Sequence, residues 1–219
     1  MLKNIIFDFD GVLVDSEILA RKAFCRYLAN KGIELTEMDF SKNYSGNKLV
    51  QVIPKIAERF NIKNQEFFFK EVVALTEKTY LEELTTVKGV REFLEKIKYK
   101  KFIASNRIKK SIIKGLEIVN LNNFFNPDDI FSFDMVANPK PCPDVFLKAV
   151  EIGKINKNET IIIEDSFIGV KAGVAANIRV IGVTSGGHWT NRSSENLIQA
   201  GAYAIAKGFD EVLYIISKL

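Results

Sequence analysis

From about residue 100 onward the chain repeats one alternation: a short continuous apolar run, then a stretch with helical periodicity. The runs are 101–105, 129–133, 160–164, 179–183 and 202–206. Helices are expected to begin near Gly89, Lys109, Pro143, Ser166, Asn191 and Phe209, with Pro143 where a first helical turn tolerates it. Runs that are apolar throughout belong to strands covered on both faces, as in a parallel sheet flanked by helices. One more run, 5–7, stands alone at the start. Between 16 and 87 the pattern is helical only, with apolar positions such as Ile18, Leu19, Ala23, Phe24, Tyr27 and Leu28 one helical turn apart. The simplest assembly joins the first strand to the later ones. It predicts an α/β fold, a doubly wound, Rossmann-like parallel sheet built from 1–15 and 88–219. An all-helical insert, 16–87, interrupts it, with hinges near 15–17 and 85–89.

In a doubly wound sheet the ligand lies beyond the carboxyl ends of the strands. The first run ends in Asp8-Phe9-Asp10-Gly11, the second in Ser105-Asn106, the fourth in Glu164-Asp165-Ser166. The loop after Phe133 carries Asn138-Pro139-Lys140-Pro141. Two carboxylates about 4 Å apart repel by roughly 4 kcal/mol at an effective dielectric near 20. Asp8 and Asp10 turned toward one point therefore need a cation, a proton or both. Four carboxylates, a lysine, a serine and an asparagine are expected at one edge. Oxygen donors of this kind suit Mg²⁺, which also binds phosphate oxygens. Prolines on either side of Lys140 stiffen its loop. A carboxylate nucleophile, a neighbouring acid/base, Mg²⁺ and a lysine together describe phosphoryl transfer through an aspartyl-phosphate. Each piece has a plainer reading. Asp10-Gly11 is also a turn signal, Asp165-Ser166 also caps a helix, and a lone loop lysine is usually solvated. His188, in the glycine-rich stretch Ser185-Gly186-Gly187-His188-Trp189, reads as a surface-loop residue.

Composition narrows the partners. The chain has 219 residues, 47% hydrophobic and 26% charged, with a formal net charge of +4. That is ordinary globular composition with enough apolar content for a core. The basic residues are scattered, which argues against a nucleic-acid surface. No run is long enough to span a membrane, and the first apolar stretch, short and soon followed by acids, is not expected to be a signal peptide. Cys25 and Cys142 lie far apart without metal-ligand spacing, so a reducing, cytoplasmic compartment is expected. A monomer or weak homodimer is expected.

The motifs Asp8-Phe9-Asp10-Gly11-Val12, Ser105-Asn106, Lys140-Pro141-Cys142-Pro143-Asp144, and Glu164-Asp165-Ser166 leading to Gly169 and Ala172-Gly173, in this order and spacing, resemble those of the haloacid dehalogenase superfamily. The likeness spans essentially the whole chain. The helical insert resembles the cap of the β-phosphoglucomutase-like and phosphoglycolate-phosphatase-like branch. The resemblance implies that Asp8 attacks phosphorus, while Asp10 protonates the leaving alcohol and later deprotonates water. It implies Mg²⁺ held by Asp8, the backbone carbonyl of Asp10, Asp165 and Glu164, the last directly or through water. By the same resemblance Lys140 and Ser105 would orient the phosphate and the nucleophile, and Asn106 would be a substrate contact. In the cap, Gly46, Asn47 and Lys48 would overhang the site. Asp10 speaks against dehalogenation, since a halide needs no acid to leave. A β-phosphoglucomutase-like mutase is the alternative to a phosphatase. It is disfavoured because Ala20 and Leu49 stand where that enzyme has a cap histidine and a cap arginine. The expected substrate is a small phosphorylated metabolite, a sugar phosphate or related acid.

Overall fold

The computed structural model describes residues 1–44, 49–189 and 193–219. The strands are β1 (Asn4–Phe7), β2 (Lys100–Ser105), β3 (Ile130–Ser132), β4 (Thr160–Glu164), β5 (Arg179–Val183) and β6 (Ala204–Ala206). The helices are α1 (Glu17–Ala29), α2 (Glu37–Tyr44), α3 (Leu49–Arg59), α4 (Gln65–Glu83) and α5 (Val90–Lys96), then α6 (Lys109–Ile118), α7 (Asp144–Gly153), α8 (Phe167–Ala175), α9 (Glu195–Gln199) and α10 (Phe209–Ile216). Two compact units result: Met1–Asp15 with Thr85–Leu219, and Ser16–Leu84.

The first unit holds one six-stranded sheet in the order β3-β2-β1-β4-β5-β6, and every pair is parallel. The alternation after residue 100 therefore produces the α/β sheet it predicts. β1 is buried along its whole length and faces two cores. Ile6 joins Phe102, Ala104, Ile162 and Val180 in the layer under α7 and α8. Phe7 points the other way, edge-on to Phe93 and Phe125. The run expected at 202–206 loses its first two residues because the Ala202 N–H closes α9 on the Leu197 carbonyl at 3.1 Å. Strand order reverses around β1, so the carboxyl ends of β1 and β4 lie side by side where a ligand crevice forms. Phe7 is level with Ile103 on one side and Ile163 on the other. The next residues, Asp8 and Glu164, therefore emerge together, with the Asp8 N–H bonded to the Ile163 carbonyl at 2.9 Å.

The second unit is wholly helical with a core of its own, around Phe24, Tyr27, Leu28, Phe40, Ile56 and Phe68. Of the run Phe67-Phe68-Phe69 only Phe68 is buried, while its neighbours are half-exposed. With about 3.6 residues per turn, three successive side chains cannot share one helix face. Asn64 caps α4 by accepting from the Phe67 N–H at 3.0 Å. Thr36 caps α2 through the Asp39 N–H at 3.1 Å, and its hydroxyl donates to the Asp39 carboxylate at 2.9 Å. Lys22 and Arg26 of α1 both pair with Glu83 at the end of α4. Thr86 makes an isolated antiparallel bridge to Val14, which returns the chain to the sheet unit beside its point of exit.

Candidate active site

Asp8, Lys140, Glu164 and Asp165 are all buried, at 7%, 5%, 1% and 5% exposure, although each carries a charge-bearing side chain. The Lys140 Nζ lies 2.7 Å from Asp8 Oδ1 and 2.9 Å from Glu164 Oε1. It also sits 4.7 Å from the centre of the Phe146 ring, a cation–π contact. The lysine is aimed by its backbone. Lys140 N–H donates to Asn106 Oδ1 at 2.9 Å, and Asn106 Nδ2 donates to the Lys140 carbonyl at 3.2 Å. The Asn106 amide, expected as a substrate contact, thus locks the lysine loop to the end of β2.

Glu164 divides its oxygens. Oε1 takes Lys140, and Oε2 accepts from the backbone N–H groups of Asp165 and Ser166 at 2.8 and 2.7 Å. Ser166 Oγ also donates to Oε2 at 3.0 Å and accepts from the Gly169 N–H at 3.0 Å, which caps α8. The carboxyl group lies so close to α8 that a Cβ on Gly169 would fall 1.6 Å from Oε1. Alanine is intrinsically the better helix residue by about 1 kcal/mol. Overpacking by one carbon costs about 1–3 kcal/mol, and here it also displaces a carboxylate held by a lysine and two N–H groups. Gly169→Ala is therefore expected to destabilise by about 2 kcal/mol, seen by calorimetry as a Tm lower by about 4–8 °C. An unchanged or higher Tm would show that Glu164 is free to move.

Asp8, Glu164 and Asp165 each offer an oxygen within 4.8 Å of the other two. Lys140 bonds two of these three carboxylates, Asp8 and Glu164. Burial first of all holds Asp8 well above the usual carboxylate range; Lys140 pulls it down, and the charges of Glu164 and Asp165 push it up. Burial would by itself depress Lys140, but the bonded carboxylates of Asp8 and Glu164 keep its proton on well above the ordinary lysine range. Excess negative charge among hard oxygen donors is what a divalent cation relieves.

Asp10 stands apart from this trio. Four carboxylates follow the strand ends as expected, but the Asp10 side chain pairs with Arg107 instead of joining the group of three. Arg107 Nε lies 2.8 Å from Oδ2 and Nη2 lies 2.7 Å from Oδ1. A two-point guanidinium–carboxylate fork outcompetes solvent for a side chain just outside the buried cluster. Arg107 was not singled out in the sequence. Its only signal is its position two residues past the strand-ending Ser105, whose buried Oγ accepts the Arg107 N–H at 3.2 Å.

His188 is likewise not a surface-loop residue. Its side chain is 10% exposed, and its Nε2 lies 3.0 Å from Asp165 Oδ2. Asp15 draws the loop inward by accepting the Gly187 N–H on both carboxylate oxygens at 3.1 Å. Gly11, at φ +77°, clears the space beneath: a Cβ there would meet Asp165 Oδ2 at 2.0 Å and His188 Cε1 at 3.0 Å. Gly46, Asn47 and Lys48 lie outside the described residues. No helix among the described residues is long and apolar enough to cross a membrane.

The family model for haloacid dehalogenase-like hydrolases matches residues 5–183. A Thermotoga maritima protein named phosphorylated carbohydrates phosphatase is 31% identical over 224 residues, covering 100% of both chains. An Escherichia coli 6-phosphogluconate phosphatase is 25% identical over 82% of this chain and 81% of its own. Among solved structures, a haloacid dehalogenase-like protein from Agrobacterium tumefaciens superposes with a TM-score of 0.86 at 26% identity, over 100% of this chain and 99% of its own. The motifs, the strand-end acids and these likenesses agree, and the chain belongs to the haloacid dehalogenase-like hydrolases.

Proposed function

We propose that the protein is a Mg²⁺-dependent phosphatase that hydrolyses a small phosphorylated metabolite, a sugar phosphate or related acid, through an aspartyl-phosphate. The observation that carries this reading is the buried trio of Asp8, Glu164 and Asp165 at the carboxyl ends of β1 and β4, the first two bonded to Lys140. The phosphatase names of the relatives support it. An Asp8 oxygen bonds phosphorus as the bond from phosphorus to the alcohol oxygen breaks, and Asp10 gives the leaving oxygen its proton. Water then attacks the phosphorus, Asp10 takes the water's proton, and phosphate leaves with Asp8 restored. Ser105 and Lys140 orient the phosphoryl group and the nucleophile. Asp8, Asp165 and Glu164, with the Asp10 backbone carbonyl, are the groups that would hold Mg²⁺, which supplies positive charge for the phosphoryl oxygens. The unit Ser16–Leu84 serves on this reading as a cap that sets specificity.

Purified protein is expected to release inorganic phosphate from p-nitrophenyl phosphate and from members of a panel of phosphorylated sugars and acids. EDTA should abolish release, and added Mg²⁺ should restore it. Turnover indifferent to the chelator overturns the metal assignment. A mutase would give isomerised sugar phosphate in place of free phosphate, so measuring both products separates the two.

A further inference from the structure

The Asp10–Arg107 fork bears on which substrates the site accepts, on the phosphatase reading above. Arg107 Nε lies within 3.1 Å of both Asp10 oxygens and Nη2 lies 2.7 Å from Oδ1, so each carboxylate oxygen faces the guanidinium. Arg107 takes up part of the accepting capacity of each oxygen, so an Asp10 carboxylate released from the fork is better placed to meet a leaving alcohol than one held in it. The side chains are 30% and 22% exposed, so a small ligand can reach the pair. Partly exposed ion pairs are cheaply exchanged.

The fork that fits one carboxylate fits any planar pair of anionic oxygens, whether on a carboxylate or a phosphoryl group. Ser105 fixes the Arg107 backbone at the strand end where the phosphoryl group is to be bound. We infer that Arg107 is a specificity residue that recognises a second anionic group of the substrate, a carboxylate or another phosphoryl, and takes it in exchange for Asp10. Binding of a phosphomonoester that carries a second anionic group then releases the acid that its own cleavage requires. A phosphate ester of an otherwise uncharged sugar of the same size leaves Asp10 in the fork more of the time.

The test is calorimetric, with 6-phosphogluconate and glucose 6-phosphate as probes, because the two share their phosphorylated end and differ at the other. A D8N background removes the proposed nucleophile, so binding is read without turnover. D8N is expected to bind the acid at least about tenfold more tightly than the sugar. In D8N/R107Q that ratio should fall to within twofold, and in D8N/R107K, which keeps the charge but not the fork, it should be intermediate. D8N/D10N should tighten binding of the acid severalfold more than binding of the sugar, because the carboxylate that competes for Arg107 is gone. A ratio insensitive to R107Q, or a D10N change that affects both probes alike, overturns the inference. Wild-type protein that fails to release phosphate from any ester overturns the phosphatase reading instead, and the binding ratios still report on Arg107.

Discussion

Asp8→Asn is expected to lower kcat by about 10⁴-fold or more while raising the stability of the metal-free protein. The two effects share one cause. Asp8 is the proposed nucleophile, and an amide oxygen neither attacks phosphorus nor leaves it as a carboxylate does, so the loss is of the size seen when a nucleophile is removed. The same group is a buried acid whose ionised form the fold disfavours, with burial as the main reason and two neighbouring carboxylates adding to it. The sign follows from proton linkage. An acid whose folded pKa lies above its ordinary 3.8 binds more protons folded than unfolded, so metal-free stability falls as pH rises from that value through the raised one. Asparagine removes the charge and keeps the shape, and its Oδ1 can still accept from Lys140. Thermal denaturation in EDTA at pH 7–8 should show a higher Tm than wild type, with circular dichroism unchanged. Wild-type turnover would remove Asp8 from its role, and a lower Tm would mean that the cluster is not overcharged.

The same cluster marks how far the sequence can be read. Continuous apolar runs report burial on both faces, so the parallel sheet was legible from hydrophobicity alone. Asp8 and Glu164 were legible because a strand end in such a sheet has one place to point, and Lys140 because prolines on both sides mark its loop. Asp10 was legible as an acid but not in direction, since the turn Phe9–Val14 re-aims it and its partner Arg107 lies far away in sequence. His188 was misread because a glycine-rich stretch usually means exposure. What turns it inward is the bond from Gly187 to Asp15, a pairing across 172 residues that no local pattern encodes. Gly11 could be read as a turn signal and Gly169 only as a motif letter. Their necessity appears once Asp165 and Glu164 are seen occupying the space a Cβ would take.

Lys140→Met should have the largest effect on stability, in the direction opposite to Asp8→Asn. Methionine approximates the buried stem and keeps contact with Phe146, so lost packing is small. What is lost is the ammonium that bonds both Asp8 and Glu164. Removing one partner of a buried ion pair typically costs about 3–5 kcal/mol, because the surviving charge stays buried without compensation. In EDTA at neutral pH the variant should therefore unfold at least about 6 °C below wild type, and its turnover should be lost. Lys140 holds its proton well above the ordinary lysine range, so its contribution is fully present below 10.5 and fades only as pH rises through its higher folded value. At acidic pH the deficit should shrink, because Asp8 takes up a proton and no longer needs the ammonium. Mg²⁺ offers a second form of relief. By mass action a ligand that binds only the folded state at a hundred times its Kd stabilises by about 2.7 kcal/mol. On the proposed ligand set, millimolar Mg²⁺ should then raise the Tm of the variant by several degrees, where Na⁺ at equal ionic strength does not. A double variant, Asp8→Asn with Lys140→Met, should recover much of the stability lost in Lys140→Met alone, since one of the two stranded charges is gone. If Lys140→Met proves as stable as wild type in EDTA at every pH, the ammonium is not what balances these acids, and the electrostatic basis of the site has to be sought elsewhere.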